Sequence, residues 1–193
     1  MNFKKLLTTA INSAIQGGHA IMKVYGSDFE VEHKDDNSPL TIADKNCHIV
    51  IERFLSSTNI PILSEEGSKI PFEKRNKWEY FWLVDPLDGT KEFVKKNGEF
   101  TVNIALINNN YPIFGSVYAP YKKELFWAYE GLGAWKSFNK DKEKKITVTP
   151  NKKENRIVIS RSHPNQKVLN FINQYKKHKL IRMGSSLKLC CIA

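Results

Sequence analysis

The sequence predicts a layered, mixed α/β fold. Three observations point there: two helical patterns open the chain, a run of strand patterns fills its middle, and strand, helix and strand alternate towards its end. At 193 residues, 41% hydrophobic and 26% charged, the chain can bury a real core and is no disordered polymer. No run approaches about 18 apolar residues, so no transmembrane helix is expected.

The elements follow in order. From Met1 to Gly26, Leu7, Ala10, Ile11, Ala14, Ile15, Ile21 and Val24 form one stripe at helical spacing. Thr8, Thr9, Asn12, Ser13 and Gln16 interrupt the apolar stretch, which argues for an amphipathic helix on a core rather than a signal peptide. A turn-rich segment, Lys34 to Pro39, precedes a second helix. There Thr41 is a suitable N-cap with Asp44 three residues on, and Ile42, Cys47, Ile49, Val50, Phe54 and Leu55 keep the period. Asn59-Ile60-Pro61 ends it. Ile60 to Leu63 reads as a short strand running into Ser64-Glu65-Glu66-Gly67. After a polar loop, Ser68 to Lys77, the apolar run Tyr80 to Val84 reads as a buried strand ended by Pro86. Phe100 to Ile107, Ile113 to Ala119 and Glu124 to Tyr129 read as three more strands, parted by turn signals. Gly131 to Trp135 closes the set, and the lysine-rich Lys136 to Glu154 reads as an exposed hairpin or loop. Arg156 to Ser160 is then a strand, Asn165 to Tyr175 a helix and Ile181 to Met183 a short extended piece, with Cys190 and Cys191 as buried helix residues.

Charge divides the chain unevenly. Residues 1–135 hold 15 Lys/Arg against 17 Asp/Glu, whereas residues 136–193 hold 15 against 3. The division suggests a first unit over 1–135 and a second over 136–193, the latter either binding polyanions or missing an acidic complement. Three cysteines, two of them adjacent, make no disulfide framework and no zinc motif. They suit a cytoplasmic setting, whether free or peripheral at the inner face of the membrane.

The most informative stretch is Trp82-Leu83-Val84-Asp85-Pro86-Leu87-Asp88-Gly89-Thr90. A buried strand delivers Asp85 to its end. Two carboxylates three residues apart can converge with the Leu87 carbonyl between them, and Gly89 allows a tight backbone. Such hard oxygens suit Mg²⁺, which prefers carboxylates together with waters and phosphate oxygens. Backbone amides after Gly89 can receive a phosphate. A bare Asp-x-x-Asp-Gly is usually a surface turn; here an apolar strand aims it.

These residues resemble the Asp-Pro-Leu/Ile-Asp-Gly-Thr signature of the lithium-sensitive inositol monophosphatase superfamily. Their continuation, Lys91-Glu92-Phe93 and Asn97 to Asn103, is similar to the CysQ-type 3′(2′),5′-bisphosphate nucleotidases. Four further segments agree in order and spacing: Asp36 to Asp44, Leu63 to Glu66, Ser160 to His163 and Gly184 to Lys188. The resemblance implies an inositol-monophosphatase-like α-β-α-β-α sandwich and an Mg²⁺-dependent phosphatase converting 3′-phosphoadenosine 5′-phosphate to AMP and phosphate. It implies that Glu65, Asp85, Asp88 and the Leu87 carbonyl hold two or three Mg²⁺ ions. Asp44 and Thr90 would orient and deprotonate the attacking water. Gly89, Thr90, Ser160, His163, Ser185 and Lys188 would hold the substrate, a small bisphosphate nucleotide.

The sequence also departs from that pattern. Family members continue beyond the Gly184–Lys188 match into a Trp-Asp motif that completes the metal site, and no Trp-Asp pair occurs here. The expectation is an incomplete C-terminal domain and little activity for these 193 residues alone. Within the fold the rival is an inositol monophosphatase; a catalytically inactive remnant is another. A nucleic-acid-binding module built on the basic end is the rival from a different class, but that end carries no motif that reads DNA or RNA.

Overall fold

The computed structural model describes residues 1–26, 31–33, 39–139, 141–148, 155–163, 165–175 and 177–192. The segment 34–38, with Asp36 to Ser38 of the first matched motif, lies outside the described residues. So do the side chains of residues 31–33 and 39–41, among them the expected Thr41 cap.

Helix α1 spans Phe3–Tyr25 and opens with the Asn2 side chain accepting from the Lys5 amide at 3.1 Å. Its deepest face is Leu6, Ala10, Ala14, Gly17, Gly18, Ile21 and Tyr25, so the expected Leu7, Ile11, Ile15 and Val24 flank the core instead of centring on it. After the paired strands β1 (Val31–His33) and β2 (Pro39–Thr41) comes α2 (Ile42–Leu55). The face expected for α2 holds at Cys47 and Leu55 but not at Ile42, Ile49 and Phe54. The helix buries Ala43, Asp44, Cys47, Ile51 and Leu55, while Ile49 is 61% exposed and Ile42 45%. The cause is close packing on α1, where a Cβ at Gly17 would lie 2.7 Å from Cys47 Sγ. Gly17 meets Cys47 and Ile51 at that crossing, and Ile42, Ile49 and Phe54 are left outside it.

A 3₁₀ turn, Ser56–Thr58, leads to β3 (Ile62–Ser64). The expected polar loop contains a helical turn, α3 (Phe72–Arg75), before β4 (Tyr80–Asp88) and α4 (Thr90–Val94). Strands β5 (Thr101–Asn108), β6 (Tyr111–Ala119), β7 (Glu124–Tyr129), β8 (Gly133–Phe138) and β9 (Lys144–Ile146) follow. Strands β3 to β9 form one seven-stranded sheet in chain order, parallel between β3 and β4 and antiparallel elsewhere. Trp82, Val84, Val102, Ile104, Leu106, Phe114 and Tyr118 point from one face into the core under α1 and α2. The opposite face leaves Leu83 45% exposed.

Two expectations are corrected here. Gly131 to Trp135 does not end the strands: Gly131 and Gly133, at φ +77 and +91, make the turn into β8, and β9 adds to its edge. Residue 135, the expected unit boundary, therefore falls inside β8. Nor does Pro86 stop β4. The register jumps from Asp85 opposite Asn103 to Asp88 opposite Thr101, so Pro86 sits in a bulge, where its missing N–H costs the ladder nothing.

The remaining residues form a smaller unit. Strand β10 (Asn155–Ser160) pairs in parallel with β11 (His178–Met183) across helix α5 (Gln166–Ile172), which Asn165 caps through the Val168 amide at 2.9 Å. A final turn, α6 (Leu187–Cys190), leaves Cys190 half-buried and Cys191 exposed, against the expected burial.

Candidate active site

The bulge in β4 concentrates the acidic groups. With its neighbour Val84 turned into the core, Asp85 points to the opposite face of the sheet beside Asn103. There its Oδ1 is buried with no hydrogen-bond partner among the described residues. Burial, then the charges of Asp88 and Glu65, push the Asp85 carboxyl up to about 7 against hydrogen bonds from Asn103 and the Leu87 backbone. Burial also raises the Asp88 carboxyl, with Glu65 adding to it, while the Ser186 amide, Lys188 and Asn103 pull it back. Glu65 opens the turn after β3, held to β4 by its own amide on the Val84 carbonyl at 3.1 Å.

Asp44 is 2% exposed in the first turn of α2. It and Asp85 both face the buried thiol of Cys47, which is raised well above its usual value by burial and then by those two charges. That thiol donates to the Pro86 carbonyl at 3.1 Å and so anchors the bulge to α2. Thr90 donates its hydroxyl to the Leu87 carbonyl at 3.3 Å. Asp44, Asp85, Leu87, Asp88, Thr90 and Glu65 thus belong to one locality. Among the described residues no three His, Cys, Asp or Glu side chains close around a common point.

The segment at 184–188 is laid over this locality. The Ser186 amide donates to Asp88 Oδ2 at 2.5 Å, and the Ser186 hydroxyl donates to Asn103 Oδ1 and meets Thr101 Oγ1, both at 2.8 Å. Lys188 reaches the Ser185 carbonyl at 2.5 Å and lies near enough to Asp88 to favour its ionised form. Ser185 takes φ +48, back to back with Gly89 at φ +91. A Cβ on Gly89 would lie 3.1 Å from Ser185 Cβ and 3.0 Å from the Glu99 carbonyl oxygen. Ser160 and His163 gather elsewhere: the Ser160 hydroxyl accepts from the His163 amide at 3.2 Å, and His163 Nε2 lies 2.9 Å from Lys91 Nζ on α4.

Four residues of the site, Glu99, Arg161, Glu92 and Asn103, lie in the matched segments but were given no role from the sequence. Glu99 receives Arg161 through two bonds, Nε to Oε2 at 2.6 Å and an Nη to Oε1 at 2.7 Å, and also accepts from the Gly184 amide at 2.7 Å. Buried Glu92 accepts from Ser162, and Asn103 bridges Ser186 to the acidic pair. Only a carboxylate lodged between Gly98 and Phe100, in apolar company, hints that Glu99 needs a cation. Nothing local says that the cation is Arg161. A groove of about 580 Å³ continues from Glu65, Asp85 and Asn103 along the open face of the sheet, past Leu83, Ala105 and Gly115.

The model of the inositol monophosphatase family matches residues 2–193. The chain belongs to the inositol monophosphatase family. Its similarity to curated members is high: it is 46% identical to the 3′(2′),5′-bisphosphate nucleotidase CysQ of Buchnera aphidicola subsp. Acyrthosiphon pisum, over 99% of this chain and 72% of that one. Against CysQ of Salmonella typhimurium the identity is 44%, over 97% and 76%. Among solved structures, CysQ from Bacteroides thetaiotaomicron superposes at a TM-score of 0.86 with 38% identity, covering all of this chain and 77% of that one. An inositol monophosphatase of Thermotoga maritima gives 0.81 with 26% identity, over 97% and 72%. Enzymes of this inositol monophosphatase family are metal-dependent phosphatases, and the mixed sheet with its helices is their fold.

Proposed function

We infer that this chain is a 3′(2′),5′-bisphosphate nucleotidase, hydrolysing 3′-phosphoadenosine 5′-phosphate to AMP and phosphate. The observation that carries the chemistry is the β4 bulge: it sets two half-buried carboxylates three residues apart and hands one of them to the Ser186 amide of the nucleotide-side loop. Identity to CysQ enzymes over nearly the whole chain supports the substrate class. The three free cysteines fit the cytoplasm, and among the described residues no helix is long and apolar enough to cross a membrane.

The acidic cluster fits Mg²⁺. A buried Asp85 oxygen without a hydrogen-bond partner, in a group crowded by two other carboxylates, is a site short of positive charge. Glu65, Asp85, Asp88 and the Leu87 carbonyl would hold two or three ions, sharing them with waters and phosphate oxygens. When bound, the cations neutralise charge on the phosphoryl group and acidify the attacking water.

The protein's own groups do the rest. Asp44 accepts the proton of that water, and Thr90 orients it. The new bond forms between water oxygen and phosphorus as the bond to the 3′-oxygen breaks, and that oxygen leaves to take up a proton. Gly89 admits the phosphoryl group where any larger residue would meet Ser185. Ser160, His163, Ser185 and Lys188 hold the nucleoside and its second phosphate, and Lys91 joins them through His163.

Calorimetry with purified protein and Mg²⁺ tests the assignment. 3′-Phosphoadenosine 5′-phosphate should bind at least about tenfold more tightly than inositol 1-phosphate, and Thr90→Ala should lower phosphate release without weakening that preference. Equal affinity, or preference for the inositol ester, overturns the nucleotidase reading.

A further inference from the structure

On the helix-facing side of the sheet, at the ends of β6, β7 and β8, lies a second cavity of about 290 Å³. The Asp85 carboxylate faces the other side, and this cavity shares no lining residue with the groove that runs past Asp85.

The cavity is built, not incidental. Gly18 makes room for the Tyr118 ring, because a Cβ there would come within 2.5 Å of Tyr118 Cε1. Its rim is fixed by two residues in left-handed backbone, Lys123 at φ +55 and Asn139 at φ +48, tied by the Asn139 amide on the Lys123 carbonyl at 2.8 Å. Ile15 and Leu125 give it an apolar floor. Tyr118 and Ser137 are 9% and 8% exposed and bring their hydroxyls to its wall. Each hydroxyl can donate to an acceptor placed in the cavity. His19 and Lys123 bring basic groups to the same space, and no described carboxylate lines it.

We propose that this cavity binds a small organic carboxylate, its charged end on Lys123, His19 and the Tyr118 and Ser137 hydroxyls and its apolar body on Ile15 and Leu125. A carboxylate offers about four lone-pair sites, which these four groups match. The volume is at the lower end of small-molecule sites, roughly 300–1,000 Å³, and accepts one ring or a short chain.

Benzoate is the probe, with its neutral isostere benzamide as control, followed by NMR on the complete 193-residue chain. Benzoate should shift the Tyr118 and Ser137 amide signals saturably at one molecule per chain, and benzamide should bind at least about tenfold more weakly. The exposed substitutions Lys123→Gln and His19→Gln should each weaken benzoate about tenfold, whereas Asp85→Asn should leave its affinity unchanged. Shifts that do not saturate, equal binding of benzamide, undiminished binding by both substituted chains, or shifts centred on Asp85 and Ser186 would each overturn the site.

Discussion

Replacing Glu99 by Ala should detach the small unit from the sheet before either unfolds. The substitution removes three acceptor contacts at once: two from Arg161 and one from the Gly184 amide. These are not equal. Gly184 is buried, and an orphaned buried amide costs about 1–3 kcal/mol. The Arg161 side chain is 41% exposed and regains water, so its pair counts for about 1 kcal/mol after screening. The total is about 2–4 kcal/mol, to be measured as the loss in urea-unfolding free energy. Hydrogen exchange localises it: the Gly184 and Ser186 amides should exchange on the order of 10–1,000 times faster, with β5 and β6 protected as before. Glu99→Gln keeps an acceptor for Gly184 and loses only the charge, so it should cost about 1 kcal/mol. A loss below about 0.5 kcal/mol for Glu99→Ala, or identical losses for Ala and Gln, would refute the reasoning.

Three further outcomes are expected. Burial alone would raise the Glu99 carboxyl, but the hydrogen bonds and charge of Arg161 and the Gly184 amide bring it below its usual 4.5. Its folded value is the depressed one, so the contact is fully present above about pH 4.5 and is lost as pH falls through the folded value. Acid titration of the Gly184 exchange rate should show this loss, and Glu99→Gln should flatten it. Mg²⁺ at 100 times its dissociation constant should stabilise the chain by about 2.7 kcal/mol, and Asp85→Asn should abolish most of that gain in a thermal-shift series. Gly17→Ala pushes a methyl group to 2.7 Å from Cys47 Sγ, which should cost about 1–3 kcal/mol. Adding Cys47→Ala should restore part of this, a coupling that a double-mutant cycle measures.

Legibility in the sequence followed range. Asp85, Leu87, Asp88, Gly89 and Thr90 are consecutive or nearly so, and a strand followed by a turn displays them without help from elsewhere. The strands at Tyr80, Thr101, Tyr111 and Glu124 were readable because they are rich in apolar, β-branched and aromatic residues between turn signals. Strand β9 was not, because Lys144 and Lys145 read as loop although lysines on an edge strand are a common guard against further pairing. The face of α2 was misjudged in part for a related reason. Hydropathy favours Ile49 and Phe54, whereas packing on α1 and the sheet selects Ala43 and Ile51 beside the expected Cys47 and Leu55. Glu99 and Arg161, 62 positions apart, were invisible because no local pattern links a carboxylate to a guanidinium at that distance.

The left-handed pair Gly89 and Ser185 has a consequence for heredity. The two loops are joined again at their neighbours, Asp88 and Ser186, across 98 positions of sequence. A side chain admitted at 89 must displace residue 185 or the Glu99 carbonyl, and a bulkier residue at 185 must press on 89. Neither loop can drift alone. Among descendants of this chain, the loop proposed to receive the reacting phosphoryl group and the loop proposed to face the nucleoside should change as a matched set, so that a new substrate preference requires paired substitutions whose single intermediates fold poorly.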